Sequence, residues 1–214
     1  MSRTRVKICG ITRLEDALTA AEYGADAIGL VRHRQSPRCV ADAVACEIID
    51  ALPAFVTPVM LFVNEAPGVI RRSAAGMGFH VAQFHGEEGS VEVVEVAPLR
   101  VIKAIRVEEA HIRMQLTQWQ RIRPANLAGL VLETPGRLGG SGVENDWDLI
   151  RRLRDEGYLD GPVPIILAGG LTPDNVGRIV REFRPFAVDV SSGVEEGVRG
   201  VKSRLRMAEF ISAV

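Results

Sequence analysis

Aromatic residues are scarce in this chain, at 5% of 214 residues, so Val, Ile, Leu and Ala must fill the core. Aliphatic filling of that kind suits parallel strands covered on both faces. An excess of charge of either sign is also missing: 26 Lys and Arg stand against 27 Asp and Glu, for a formal net charge of −1. That balance argues against a general attraction to nucleic acid or to an anionic membrane surface. The one basic run, Arg32-His33-Arg34, is local and reads as a solvated loop. No apolar stretch reaches the roughly 20 residues that span a bilayer, and Met1-Ser2-Arg3-Thr4-Arg5 leads into a strand rather than into the apolar centre of a signal peptide. Cysteines number 3, with no CxxC spacing. A disulfide framework and a structural zinc site are both unexpected on that count, and reduced thiols fit a cytoplasmic location. Cys39 and Cys46 read by default as small buried hydrophobes.

What is present is alternation. Strand candidates run over Val6–Cys9, Ala27–Val31, Pro58–Val63, His80–Phe84, Arg100–Ala104, Leu127–Leu132, Pro164–Leu167 and Ala187–Val190. Helix candidates lie near Leu14–Tyr23, Ala41–Ala51, Val69–Met77, Ser90–Val96, Glu108–Arg121, Trp147–Arg154, Pro173–Phe183 and Val201–Ile211. Thr12 with Glu15 predicts a capping box at the first helix. Thr172 before Pro173 predicts an N-cap and a proline in the first turn, and Gly24 a left-handed helix end. Repeated strand–helix units imply parallel pairing through right-handed crossovers. Eight near-equal units, with no break where strand order would reverse, predict an α/β fold: a single (β/α)8 TIM barrel of parallel strands over residues 1–214, one domain.

Such barrels carry their chemistry just beyond the C-terminal ends of the strands. Three late loops there are rich in glycine: Gly139-Gly140-Ser141-Gly142, Ala168-Gly169-Gly170 and Ser191-Ser192-Gly193. Glycine lets backbone N–H groups approach an anion, and a following helix N-terminus favours negative charge. One such loop alone is more simply a tight turn. Two of them after the seventh and eighth strands predict a phosphate site. Cys9 ends the first strand, where a helix N-terminus or a neighbouring cation would lower its pKa and free a thiolate base. Glu133 ends the sixth strand and is either a general acid with a raised pKa or a solvated loop glutamate. Asp189, inside the eighth strand, needs a partner such as Lys7, a hydroxyl or backbone amides. His85 follows the fourth strand and either lines the mouth or is solvated, while His33, His80 and His111 show no metal-ligand spacing.

Taken together, Lys7-Ile8-Cys9-Gly10-Ile11-Thr12, Ser36-Pro37-Arg38, Gln83-Phe84-His85-Gly86, Gly139–Gly142 with Asp146-Trp147, Ala168–Val176 and Val188–Glu195 resemble the phosphoribosylanthranilate isomerase family of tryptophan biosynthesis. The resemblance runs from the first strand to the last. It implies an isomerase performing an Amadori rearrangement, N-(5-phosphoribosyl)anthranilate becoming 1-(carboxyphenylamino)-1-deoxyribulose 5-phosphate, with no metal or organic cofactor. By position it implies Cys9 as general base and Glu133 as general acid, Arg38 on the anthranilate moiety, and Lys7, Gln83, His85 and Asp189 as further substrate contacts. It assigns Gly140, Ser141, Gly142, Gly169, Gly170, Ser191, Ser192 and Gly193 to the phosphate clamp. The partner is a small phosphorylated substrate, and the chain is expected as a monomer or homodimer.

The sequence departs from the family at two places. Glu133 stands where aspartate is usual, and Arg32-His33-Arg34-Gln35 with Val143-Glu144-Asn145 differ from the loops usual beside the aromatic end of the substrate. Two other readings therefore stay open: a paralogous barrel isomerase for another phosphorylated aminosugar, and a catalytically silent barrel that binds a phosphate ligand.

Overall fold

A computed structural model describes residues 3–135 and 144–214. Its strands are β1 (Arg5–Cys9), β2 (Ala27–Val31), β3 (Thr57–Phe62), β4 (Val81–Phe84), β5 (Arg100–Arg106), β6 (Leu127–Glu133), β7 (Ile165–Leu167) and β8 (Ala187–Val190). The helices that follow them are α1 (Leu14–Glu22), α2 (Asp42–Ala51), α3 (Pro67–Met77), α4 (Ser90–Glu95), α5 (Ile112–Ile122), α6 (Trp147–Asp155), α7 (Pro173–Phe183) and α8 (Arg204–Ala213). The strands close into a barrel in sequence order, β1 pairing with both β2 and β8, every pair parallel. The expected TIM barrel is the fold observed.

Alternation along each strand splits the side chains between two cores. Outward residues such as Ile8, Ile28, Leu30, Phe62, Phe84 and Val188 pack with Ala17, Ile48, Ile70, Val176, Ile179 and Phe210 of the helices. Each such aliphatic or aromatic side chain removed from water contributes about 1.5–3 kcal/mol. Inside the barrel Val131, Ile166, Ala168 and Ala187 form a smaller apolar plug. Above it the inward positions become polar or thiol-bearing: Lys7 and Cys9 on β1, Gln83 on β4 and His85 after it, Glu133 on β6, Asp189 on β8 and Ser191 after it.

Local chemistry explains where sequence and structure differ. The capping box expected of Thr12 and Glu15 does not form: Arg13 is the N-cap residue of α1, and the Thr12 hydroxyl donates to the Gly200 carbonyl at 2.6 Å. Arg13 instead pairs with Asp16 at 2.7 Å. The start of α7 is as expected at Thr172 and Pro173, although the cap bond is made by Asn175 Oδ1, which accepts from the Thr172 N–H at 2.8 Å. Gly24 takes the left-handed conformation after α1, at φ +98°. The last helix begins three residues later than its pattern, at Arg204. The preceding residues are held otherwise: Lys202 N–H donates to Asp16 Oδ2 at 3.0 Å and Ser203 N–H to the Val194 carbonyl at 2.9 Å. Cys39 is exposed and Cys46 half-buried, contrary to the expectation of buried cysteines, because they lie on the loop before α2 and on that helix outside its buried positions.

Candidate active site at the C-terminal mouth of the barrel

Period-two alternation on the parallel strands, together with the loops that follow β2, β4, β7 and β8, brings most of the expected site residues to one cavity. Cys9, Arg38, Gln83, His85, Glu133, Gly169, Gly170, Asp189, Ser191, Ser192 and Gly193 all line it. Lys7 lies one inward position deeper on β1 and is buried. Gly140, Ser141 and Gly142 lie outside the described residues.

The β1 and β8 side of the cavity is ionic. Lys7 and Asp189 stand opposite in the β1–β8 register, and the Lys7 ammonium donates to Asp189 Oδ2 at 2.8 Å with both side chains buried. This is the partner that a charge inside β8 requires. Burial alone would pull the lysine pKa down, but Asp189 and the adjacent Cys9 outweigh it and hold the ammonium charged. Cys9 behaves oppositely to the sequence expectation. Burial pushes its thiol up from the ordinary value, and Lys7 and Lys202 recover only part of that shift. The cation is present beside the sulfur, but desolvation is the larger effect.

The opposite wall carries the carboxylate. Glu133 Oε2 lies 3.2 Å from His85 Nε2, and Gln83 Nε2 lies 3.5 Å from His85 Nδ1. The loop after β4 that bears His85 is anchored by Lys103 and Glu88. Lys103 donates to the Gly86 carbonyl at 2.6 Å and to Glu88 at 2.9 Å, while Glu88 accepts from the N–H groups of Asn64 at 2.6 Å and Gly86 at 2.9 Å. Two buried acceptors, Gln83 Oε1 and Asp189 Oδ1, have no protein partner among the described residues. Their carriers line the cavity, so a ligand with hydroxyl or amine donors would satisfy them.

The late glycine loops meet above β7 and β8. Gly169 and Gly170 take positive φ, +88° and +65°, which lets the chain turn sharply from β7 toward α7. The turn Ser192–Val194 follows β8. It packs so closely on the first loop that a Cβ at Gly193 would collide with the Leu171 carbonyl. The two loops therefore make one continuous rim, of the kind whose N–H groups cradle phosphate.

Arg38 reaches the same rim from the β2 side. Its Nε and Nη2 donate to Glu195 Oε1 and Oε2 at 2.7 and 2.8 Å. In the basic run, Arg32 pairs with Asp42, whereas His33, with Ser36 further along the same loop, lines the cavity. His33 has no metal-ligand spacing in the sequence, and its place two residues after β2 is the one signal that points to the mouth. Thr134, next to Glu133, also lines the cavity. Asn145 turns inward and donates to the Ala168 carbonyl at 2.9 Å, tying the chain before α6 to the end of β7. Among the described residues no helix is long and apolar enough to cross a membrane.

Fold and site define a (β/α)8-barrel enzyme with a thiol and a carboxylate facing one cavity below a glycine-rich rim. The profile of the N-(5'phosphoribosyl)anthranilate (PRA) isomerase family matches residues 6–213. An N-(5'-phosphoribosyl)anthranilate isomerase from Pseudomonas syringae pv. tomato is 44% identical over 216 residues, covering 100% of this chain and 98% of the relative. The crystal structure of phosphoribosyl anthranilate isomerase from Thermotoga maritima superposes with a TM-score of 0.85 at 39% identity, covering 98% of each chain. A further isomerase structure, in complex with reduced 1-(o-carboxyphenylamino)-1-deoxyribulose 5-phosphate, gives a TM-score of 0.81 at 37% identity over 98% of this chain and 97% of that one. The chain belongs to the phosphoribosylanthranilate isomerase family.

Proposed function

We propose that the chain isomerises N-(5-phosphoribosyl)anthranilate to 1-(carboxyphenylamino)-1-deoxyribulose 5-phosphate, a step of tryptophan synthesis. One observation carries the residue assignment: Cys9 and Glu133, from β1 and β6, line the same cavity as the unsatisfied acceptors of Gln83 and Asp189. A sugar placed between them presents its hydroxyl donors to those acceptors and its two reacting centres to an acid and a base.

In this reading Glu133, positioned by His85, gives its proton to the furanose ring oxygen. The C1′–O bond breaks and the ring opens to the protonated Schiff base. Cys9 as thiolate then takes the C2′ proton, and the C–H electron pair forms the enolamine, which relaxes to the ketone. Lys7 favours the thiolate that burial disfavours. Ser191–Gly193 with Gly169 and Gly170 hold the phosphate, and Arg38 holds the anthranilate carboxylate. The structure with the reduced product analogue supports a phosphorylated ligand of this shape in a relative 37% identical. The basic loop gives little support to a different aminosugar, since Arg32 is already paired with Asp42.

The test is turnover of freshly generated phosphoribosylanthranilate, followed by loss of anthranilate-type fluorescence, for the wild type beside Cys9→Ser. Turnover that collapses in the variant is expected. A folded wild type that binds a ribulose-phosphate analogue and shows no turnover would overturn the isomerase reading.

A further inference from the structure

Glu195 closes the β8 motif and has no part in the acid–base chemistry, yet among the described residues four hydrogen bonds converge on its carboxylate. Arg38 donates twice, at 2.7 and 2.8 Å. Lys202 Nζ donates at 3.0 Å and the Gly200 N–H at 2.9 Å. The Lys202 side chain is 0% exposed, and its ammonium also donates to the Ser191 carbonyl at 3.0 Å. Burying a lysine is costly unless its charge is matched. Here the match is a single carboxylate shared with Arg38. Burial tends to raise the Glu195 pKa, but Arg38 and Lys202 reverse that and keep it ionised below the ordinary range.

The geometry has a directional consequence. Arg38 lies across the end of β1, where a Cβ on Gly10 would collide with its Cδ. One edge of its guanidinium fork is taken by both Glu195 oxygens, so the plane of the group is set by Glu195 rather than by its own flexible stem. The same Glu195 fixes Lys202, which fixes the Ser191 carbonyl in the loop proposed to hold phosphate. We propose that Glu195 and Lys202 are positioning residues that set the span between the carboxylate-holding Arg38 and the phosphate-holding Ser191 loop. The inference rests on the substrate roles given above to Arg38 and Ser191.

Glu195→Asp tests it, because the charge is kept while the carboxyl withdraws by one methylene. A displacement on the order of 1 Å can cost up to about 10²-fold. The expected result is a KM for phosphoribosylanthranilate raised about tenfold, with kcat changed less than about threefold. In an Arg38→Met background the same substitution should lose most of its effect, because the two act as one unit. A purely structural ion pair would lower Tm and leave KM unchanged, and that result overturns the proposal. If Arg38→Met itself leaves KM unchanged, the role given to Arg38 falls and the proposal with it. If Arg38→Met raises KM while Glu195→Asp does not, only the positioning role is lost. Should Glu195→Asp not fold, Lys202→Met is read in the same way, with inorganic phosphate as competing probe. Weaker phosphate inhibition then supports the proposal, and unchanged inhibition overturns it.

Discussion

His85 Nε2 stands 3.2 Å from Glu133 Oε2, although β5 lies between β4, which His85 follows, and β6, which Glu133 ends. Closure of the barrel is what makes this contact, since inward side chains of β4 and β6 converge on its axis. The Glu133 carboxylate is therefore steered by an imidazole, which in turn lies beside Gln83.

Glu133→Gln keeps the shape of the side chain and removes the transferable proton. We expect kcat to fall by about 10²-fold or more with little change in KM. Glu133→Asp keeps an acid but pulls it back from His85, and should retain more activity than the amide, about one-tenth of the wild type. Steady-state kinetics on both variants decide the point. An amide variant as active as wild type would remove Glu133 from the chemistry.

The pH profile follows from Cys9. Burial raises its thiol pKa, and in the proposed mechanism the base is the thiolate, so kcat/KM should climb with pH through the neutral range and fall away on the acid side. Lys7 opposes the upward shift. Lys7→Met should therefore move the acid limb to still higher pH. A profile that is flat across the thiol's titration range would count against Cys9 as base.

Room for the thiol depends on Gly29, its register partner on β2. A Cβ at that position would sit 2.7 Å from Cys9 Sγ and 3.1 Å from Lys7 Nζ. Gly29→Ala should displace the sulfur and lower kcat by about 10²-fold, while circular dichroism and Tm show the barrel intact. Wild-type kcat in a folded variant would show that the sulfur position is not critical.

Lys103 and Glu88 form an ion pair whose side chains are only 6% and 3% exposed. Lys103→Met leaves a buried carboxylate without its cation and should cost about 3–5 kcal/mol in urea unfolding. A loss below about 1 kcal/mol, the range of exposed pairs, would show that water reaches Glu88 in the native state. The same variant should weaken the anchoring of Gly86, and through it of His85.

The strand–helix order was legible because it rests on local pattern. Ala27–Val31 and Leu127–Leu132 are apolar runs that only a doubly covered strand can bury, and turn and capping residues mark the units between them. Cys9 and Glu133 were legible as residues of the mouth because each ends a strand, and both line the cavity there. His33 was not, since a loop histidine carries no periodic signal. Thr12 misled, because its sequence suits a cap while a distant carbonyl, that of Gly200, takes its hydroxyl.

The sequence by itself determined the eight repeating units, the barrel they close into, and which residues stand at its mouth, because hydrophobic period, turn chemistry and strand ends are properties of neighbours in the chain. Tertiary structure alone decided the state of those residues. The burial that lifts the Cys9 thiol, the partnership of His85 with Glu133, and the sharing of Glu195 between Arg38 and Lys202 are set by groups far apart in sequence, 157 positions apart for Arg38 and Glu195. Desolvation and ion pairing depend on distances in space, and only the closed barrel fixes those.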